Sequence, residues 1–190
     1  HFVGTGHAFG SGGRYNTCFH LDAGTPRILV DCGASAFHGL KQSGLDRDGI
    51  DALLFTHFHG DHFGGLPYFL LDAQFVTRRK KPLVLAGPPG VEAACVALVE
   101  ASYPGYARGA RDFVIDYREI APGATVDLCG LAVTSFTVQH DPNLAHCFGY
   151  RIGAGGKIFA YSGDTTWTDT LLELGRGADL FVVECYVRDR

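Results

Sequence analysis

The segment Thr56-His57-Phe58-His59-Gly60-Asp61-His62 gathers three imidazoles and a carboxylate directly after the apolar run Asp51–Phe55. His57 and His59 stand two apart, so on an extended chain their rings project to the same side. Neutral imidazole binds zinc at about 2.0–2.1 Å, and two such rings with one distant third ligand leave an open coordination position. Gly60 is expected to let the backbone turn and to swing Asp61 and His62 toward a second ion. Two metals about 3.5–4 Å apart clamp an attacking hydroxide and a leaving oxygen together, because they lower the pKa of a shared water toward ~7. The plain rival is a polar strand-to-helix turn with solvated histidines. The full His-x-His-x-Asp-His spacing at a strand end favours metal.

Three later polar residues stand at the ends of strand-like runs. His140 closes Val138-Gln139-His140, Asp164 lies in Tyr161-Ser162-Gly163-Asp164-Thr165, and Glu184 ends the run Leu180–Glu184. Taken alone, each has a structural reading: a hydrogen-bonded strand-end histidine, an Asx turn after a strand, a strand-end carboxylate. His146, six residues beyond His140, is either within reach of substrate or at the surface. The glycine-rich opening Gly4–Gly13 is spaced GxGxxxG with no amphipathic helix after it, which excludes a dinucleotide loop. It reads as a turn, with Ser11, Arg14 and Asn16 as candidates to face an anion. Arg78-Arg79-Lys80-Lys81 reads as a solvated loop, or else as a patch that steers phosphate.

Elements that would position these residues follow from pattern. Strands are expected at 18–22, 27–32, 51–56, 82–86, 113–119, 131–138, 147–153, 157–161 and 178–184, each a short apolar run bounded by Gly, Pro, Asp or Asn. Helices are expected at 34–43, 63–72, 91–102 and 168–174. In the third, Val91, Ala94, Cys95, Leu98 and Val99 follow the helical period. Gly155-Gly156 marks a hairpin. Strands mixed with helices indicate α/β or α+β layering.

Composition sets outer bounds. The 190 residues are 46% hydrophobic and 19% charged with a net charge of −4, which fits one globular domain and excludes a broadly basic nucleic-acid surface. No apolar run is long enough to cross a bilayer, and the first residues lack a signal-peptide pattern. A cytoplasmic protein that does not engage membranes is the expectation. The six cysteines show no CxxC pair, so they read as buried thiols rather than a disulfide framework or a zinc site. The chain has no methionine, position 1 included, and reads as a trimmed product.

Thr56–His62 resembles the Thr-His-x-His-x-Asp-His hallmark of the metallo-β-lactamase superfamily. His140, the Tyr161–Thr165 segment and the opening Phe2–Gly6 resemble its later and earlier motifs in the right order. The resemblance implies an α/β fold, the metallo-β-lactamase αβ/βα four-layer sandwich. It also implies two divalent ions, Zn2+ with Mn2+ or Fe as alternatives. His57, His59 and His140 would hold one ion, Asp61 and His62 the other, and Asp164 would bridge them. The family closes the second site with a further histidine. None occurs among the 26 residues after Asp164, so a single domain over 1–190 cut short at its C-terminus is expected.

The opening Gly-Thr-Gly, the Tyr161–Thr165 segment and Glu184 look most like the ribonuclease Z-like and cyclic-phosphate phosphodiesterases. The implied function is phosphodiester hydrolysis by a metal-bridging hydroxide. Asp61 would help orient the nucleophile, and Glu184 would orient a proton-donating histidine beyond Arg190. Only 24 positions separate His140 from Asp164, too few for the tRNA-gripping arm of ribonuclease Z, so a small-molecule or generic phosphodiester substrate is expected and tRNA is not. A homodimer is implied by the relatives. The rivals are a lactone or thioester hydrolase, an iron-dependent oxidoreductase, and a non-catalytic binding module.

Overall fold

Strands closed in on both faces read as unbroken apolar runs, and Ile28-Leu29-Val30, Ala52-Leu53-Leu54 and Leu83–Gly87 are all fully buried. The computed structural model describes residues 1–185 and divides them into two compact units, His1–Glu119 and the part from Ile120 onward.

The first unit runs β1 (Phe2–Gly4), β2 (Cys18–Asp22), β3 (Arg27–Val30), α1 (Ala36–Gln42), β4 (Ala52–Leu54), α2 (Gly60–Phe63), α3 (Leu66–Leu71), β5 (Leu83–Gly87), α4 (Val91–Ser102) and β6 (Ile115–Glu119). Its six strands lie in sequence order; β1, β2 and β3 pair antiparallel, and β3 through β6 pair parallel. Val30 stands opposite Leu54, so the chain leaves β3 and β4 side by side at the same sheet edge. That edge, at the carboxyl ends of parallel strands, is where open α/β sheets place ligands. Val91, Cys95 and Val99 of α4 pack into the core with Leu29, Leu53, Leu85 and Phe55.

The second unit holds β7 (Thr125–Leu128), β8 (Leu131–Thr137), β9 (Phe148–Ala154), β10 (Lys157–Tyr161), α5 (Thr170–Gly175) and β11 (Leu180–Val182). Their order is β11-β10-β9-β8-β7, antiparallel apart from the β10–β11 pair that α5 connects. Gly155 and Gly156 both have positive φ, 55° and 75°, and close the β9–β10 hairpin as the glycine pair requires. Leu171 and Leu174 of α5 pack on Ala160.

Expected elements recur with shifted ends. The helix expected over 63–72 instead breaks at Gly64-Gly65 into α2 and α3, with a π-helical turn over Asp72–Val76. Gly65 cannot carry a side chain there, since a Cβ would lie 2.5 Å from the Gly33 carbonyl oxygen. β7 was not foreseen: four residues with a single buried side chain carry little apolar signal.

Two expectations are corrected. The basic run is no solvated loop at its centre: Arg79 is buried and donates to the carbonyls of Asp48, Lys81 and Pro82. Asn16 does not face an anion; its Oδ1 accepts from the Ser35 N–H and hydroxyl, and its Nδ2 donates to the His7 carbonyl. Cys18, Cys32, Cys95 and Cys147 are buried, as the sequence led one to expect of most of the thiols. Among the described residues no helix is long and apolar enough to cross a membrane.

Candidate functional site

In the first unit the histidine motif starts where β4 ends. The Phe55 N–H still donates to Ala86, after which Thr56 turns inward. His59 is extended (φ −77°, ψ 148°) and starts α2, its carbonyl accepting from His62 and Phe63. Asp61 and His62 are thereby carried round to the side of His57, whose ring centroid lies 4.2 Å from that of His62. Gly60 takes an ordinary helical conformation with open space at its Cβ position, so the turn does not depend on its being glycine. The glycine that matters is Gly33, after β3, where a Cβ would lie 2.0 Å from the Asp61 carbonyl oxygen. The two loops also bond directly, Cys32 N–H to His62 O and Ala34 N–H to Gly60 O.

Asp31, the residue after β3, organises the ring nitrogens. It is fully buried with φ 58°, a left-handed conformation uncommon outside glycine. Its Oδ1 accepts the Thr56 N–H at 2.8 Å; its Oδ2 accepts the Thr56 hydroxyl at 2.8 Å and faces His62 Nδ1 at 2.7 Å. A carboxylate can only accept, so His62 carries its proton on Nδ1 and keeps a lone pair on Nε2. The Thr56 hydroxyl spends its one proton on Asp31, so toward His57 Nδ1, 3.0 Å away, it accepts. His57 therefore also presents an unprotonated Nε2. Burial pushes the Asp31 carboxyl above its ordinary pKa, and the His62 and Thr56 donors oppose that rise.

These tautomers fit a divalent ion. His57 Nε2 and His59 Nδ1 lie 3.2 Å apart. Two nitrogens bound to one tetrahedral ion at about 2.05 Å would be roughly 3.3 Å apart. Asp61 Oδ2 lies 3.6 Å from His62 Nε2.

In the second unit His140 follows β8, and Asp164 follows β10. His140 Nε2 and Asp164 Oδ2 are 3.8 Å apart with side chains 26% and 20% exposed. Buried Ser162 orders this edge: its N–H donates to Val182 O, and its Oγ accepts the Glu184 N–H at 2.9 Å. Glu184 is thus tied by its backbone to the segment that carries Asp164. His146 lies against Phe148, ring centroids 5.9 Å apart.

Asp31 and Ser162 were not singled out from sequence. For Asp31 the readable signal is an acid directly after the apolar run Ile28–Val30, followed by Cys-Gly. Ser162 gives no comparable signal.

The family model of the anti-Pycsar protein Apyc1 matches residues 1–189. The Apyc1 protein of Bacillus phage vB_BveM-Goe7 is 32% identical over 90% of this chain and 69% of its own length. Human tRNase Z, short form, is 25% identical in its crystal structure with a TM-score of 0.75, covering 95% of this chain and 75% of that one. The metallo-β-lactamase fold protein YhfI of Bacillus subtilis superposes with a TM-score of 0.73 at 18% identity, covering 95% and 68%. The chain therefore has the metallo-β-lactamase fold, an α/β architecture. It spans between 43% and 72% of the length of ribonuclease Z relatives that are 25–31% identical to it.

Proposed function

This chain belongs to the anti-Pycsar protein Apyc1 family, within the phosphodiesterase-like, metal-dependent hydrolases of the metallo-β-lactamase superfamily, and from that membership we propose that it hydrolyses small phosphodiesters at a binuclear centre. In this reading His57, His59 and His140 hold one divalent ion, Asp61 and His62 the other, and Asp164 serves both. Zinc suits the imidazole and carboxylate donors, with manganese or iron as alternatives. When bound, the ions supply Lewis acidity and bring the pKa of water close to neutral.

The observation that carries the proposal is the Asp31–Thr56–His57 and Asp31–His62 hydrogen-bond pair, which leaves Nε2 lone pairs on two adjacent imidazoles. Such outer partners orient ligating histidines and raise their basicity. Asp61 additionally orients the attacking water. The Glu184 carboxylate orients the group that delivers a proton to the leaving oxygen.

Small phosphodiesters, cyclic nucleotides first among them, are the proposed substrates rather than tRNA. A net charge of −4 supplies no broad cationic surface for a polynucleotide. The interval between His140 and Asp164 is taken up by the β9–β10 hairpin and a short loop.

The test is turnover of bis(p-nitrophenyl) phosphate by zinc- or manganese-loaded protein, with bound metal counted per chain and His59→Ala as control. Turnover that disappears in the variant supports the proposal. A protein that holds two ions without cleaving the phosphodiester overturns it and moves the assignment to lactones or thioesters.

A further inference from the structure

Trp167 is the only tryptophan of the chain, and 71% of it is exposed. Tryptophan is on average a highly buried residue, so an indole left this open is notable. Its surroundings in the second unit are well tied down. The Gln139 N–H donates to Thr165 Oγ1 at 3.2 Å, and the Thr166 N–H donates to Gln139 O at 2.7 Å. The Thr166 hydroxyl donates to the same carbonyl at 3.2 Å. These bonds join the residue before His140 to the two residues after Asp164. Trp167 comes next, before Thr168 accepts the first bond leading into α5. The indole is thus presented by an ordered backbone three positions from Asp164.

A flat, neutral π-face stacks on a nucleobase whatever its sequence and offers no charge to a phosphate. Neither 138–147 nor 162–169 contains a lysine or arginine, so these two segments offer no cation to track a polynucleotide backbone. We infer that Trp167 is a specificity-determining residue that stacks on the nucleobase of a nucleotide phosphodiester whose phosphate sits at the His140–Asp164 edge. The inference rests on the phosphodiesterase reading above and adds to it the base as a recognised part of the substrate. The residue binds; it takes no part in bond cleavage.

Two p-nitrophenyl esters separate the possibilities, because they share a leaving group and differ in the alcohol that stays on phosphorus, a nucleoside in one and methanol in the other: thymidine 5′-(p-nitrophenyl phosphate) and methyl p-nitrophenyl phosphate. In the metal-loaded chain, Trp167→Ala lowers the ratio of kcat/KM for the thymidine ester over the methyl ester by about five- to a hundredfold, the range that base stacking on an aromatic ring supplies. The loss falls mainly on KM, and Trp167→Phe restores most of it. Because Trp167 is the sole indole, its emission reads the contact without turnover. Thymidine 5′-monophosphate quenches it saturably, and methyl phosphate at the same concentration does not. An unchanged ester ratio, or equal quenching by both phosphates, overturns the inference and leaves the phosphodiesterase reading standing. A wild-type chain that cleaves neither ester overturns both.

Discussion

His62 Nδ1 donates to Asp31 Oδ2 at 2.7 Å, with both side chains closed off from solvent and 31 positions apart in sequence. The same oxygen takes the Thr56 hydroxyl, which in turn accepts from His57. One carboxylate therefore sets the tautomer of two imidazoles. Asp31→Asn replaces a pure acceptor with a group that also donates, and one orientation of the amide turns its NH2 against His62. Metal affinity is expected to fall about 10–100-fold, the usual cost of losing an outer partner of a ligating histidine. Zinc competition against a chromogenic chelator measures it, with Asp46→Asn at an exposed site as reference. Equal affinity in both variants would show that the Asp31 network does not orient the ligands.

Two glycines near the motif should respond in opposite ways. A Cβ at Gly33 meets the Asp61 carbonyl oxygen at 2.0 Å and Asn16 Cβ at 2.3 Å, and the backbone atom cannot rotate away. Gly33→Ala is expected to cost at least about 1–3 kcal/mol, as overpacking does, and to lower metal affinity by displacing Asp61. A Cβ at Gly60 meets nothing within 4 Å, and the residue is helical. Gly60→Ala is expected to stay within about 0.5 kcal/mol of the parent or to gain slightly from reduced unfolded-state freedom. Denaturant unfolding of the metal-free proteins separates the two; a Gly60→Ala loss as large as that of Gly33→Ala would contradict this account.

That pair shows how far the sequence could be read. Spacing alone placed His57, His59, Asp61 and His62 at a strand end, because local pattern governs the neighbours of a strand. It assigned the turn to Gly60, which is inside the motif, whereas the close approach occurs at Gly33, on a different loop. Proximity between loops after β3 and β4 is a tertiary fact with no local signature. Asp31 went unnoticed for the same reason: its partners are 25 and 31 positions away. Elements whose period is self-sufficient were legible, α4 over Val91–Ser102 from end to end and the glycine-closed β9–β10 hairpin with its first strand shifted by one residue. β7, largely exposed and four residues long, was not.

The basic run offers a test of charge against burial. Arg79 is 1% exposed and its guanidinium satisfies three carbonyls, while Lys80 is exposed and pairs with Asp112 at 2.7 Å. Arg79→Ala strands those carbonyls and opens a cavity, so a loss of about 3–5 kcal/mol is expected, comparable to breaking a buried charge network. Lys80→Ala removes a solvent-screened pair and is expected to cost under about 1 kcal/mol. Comparable losses in urea unfolding would return the whole run to the surface.

Alkaline pH should destabilise the first unit through Cys95. Burial pushes this thiol from an ordinary value of 9.0 up to about 12, on a side chain 1% exposed within α4. In the unfolded chain the thiol ionises near its ordinary value, while the folded chain keeps it neutral. The stabilising contribution is therefore complete below pH 9 and is lost as pH rises toward 12, at up to about 1.4 kcal/mol per pH unit. Burial raises Tyr106 and Tyr117 as well, which steepens the decline above pH 10. Tm followed from pH 8 to 11 should fall progressively from about pH 9 upward. Cys95→Ala lowers Tm at pH 8 through the space it vacates, yet its curve should descend less steeply between pH 9 and 10. Parallel curves for the two proteins would show that the Cys95 thiol ionises alike in the folded and unfolded chains.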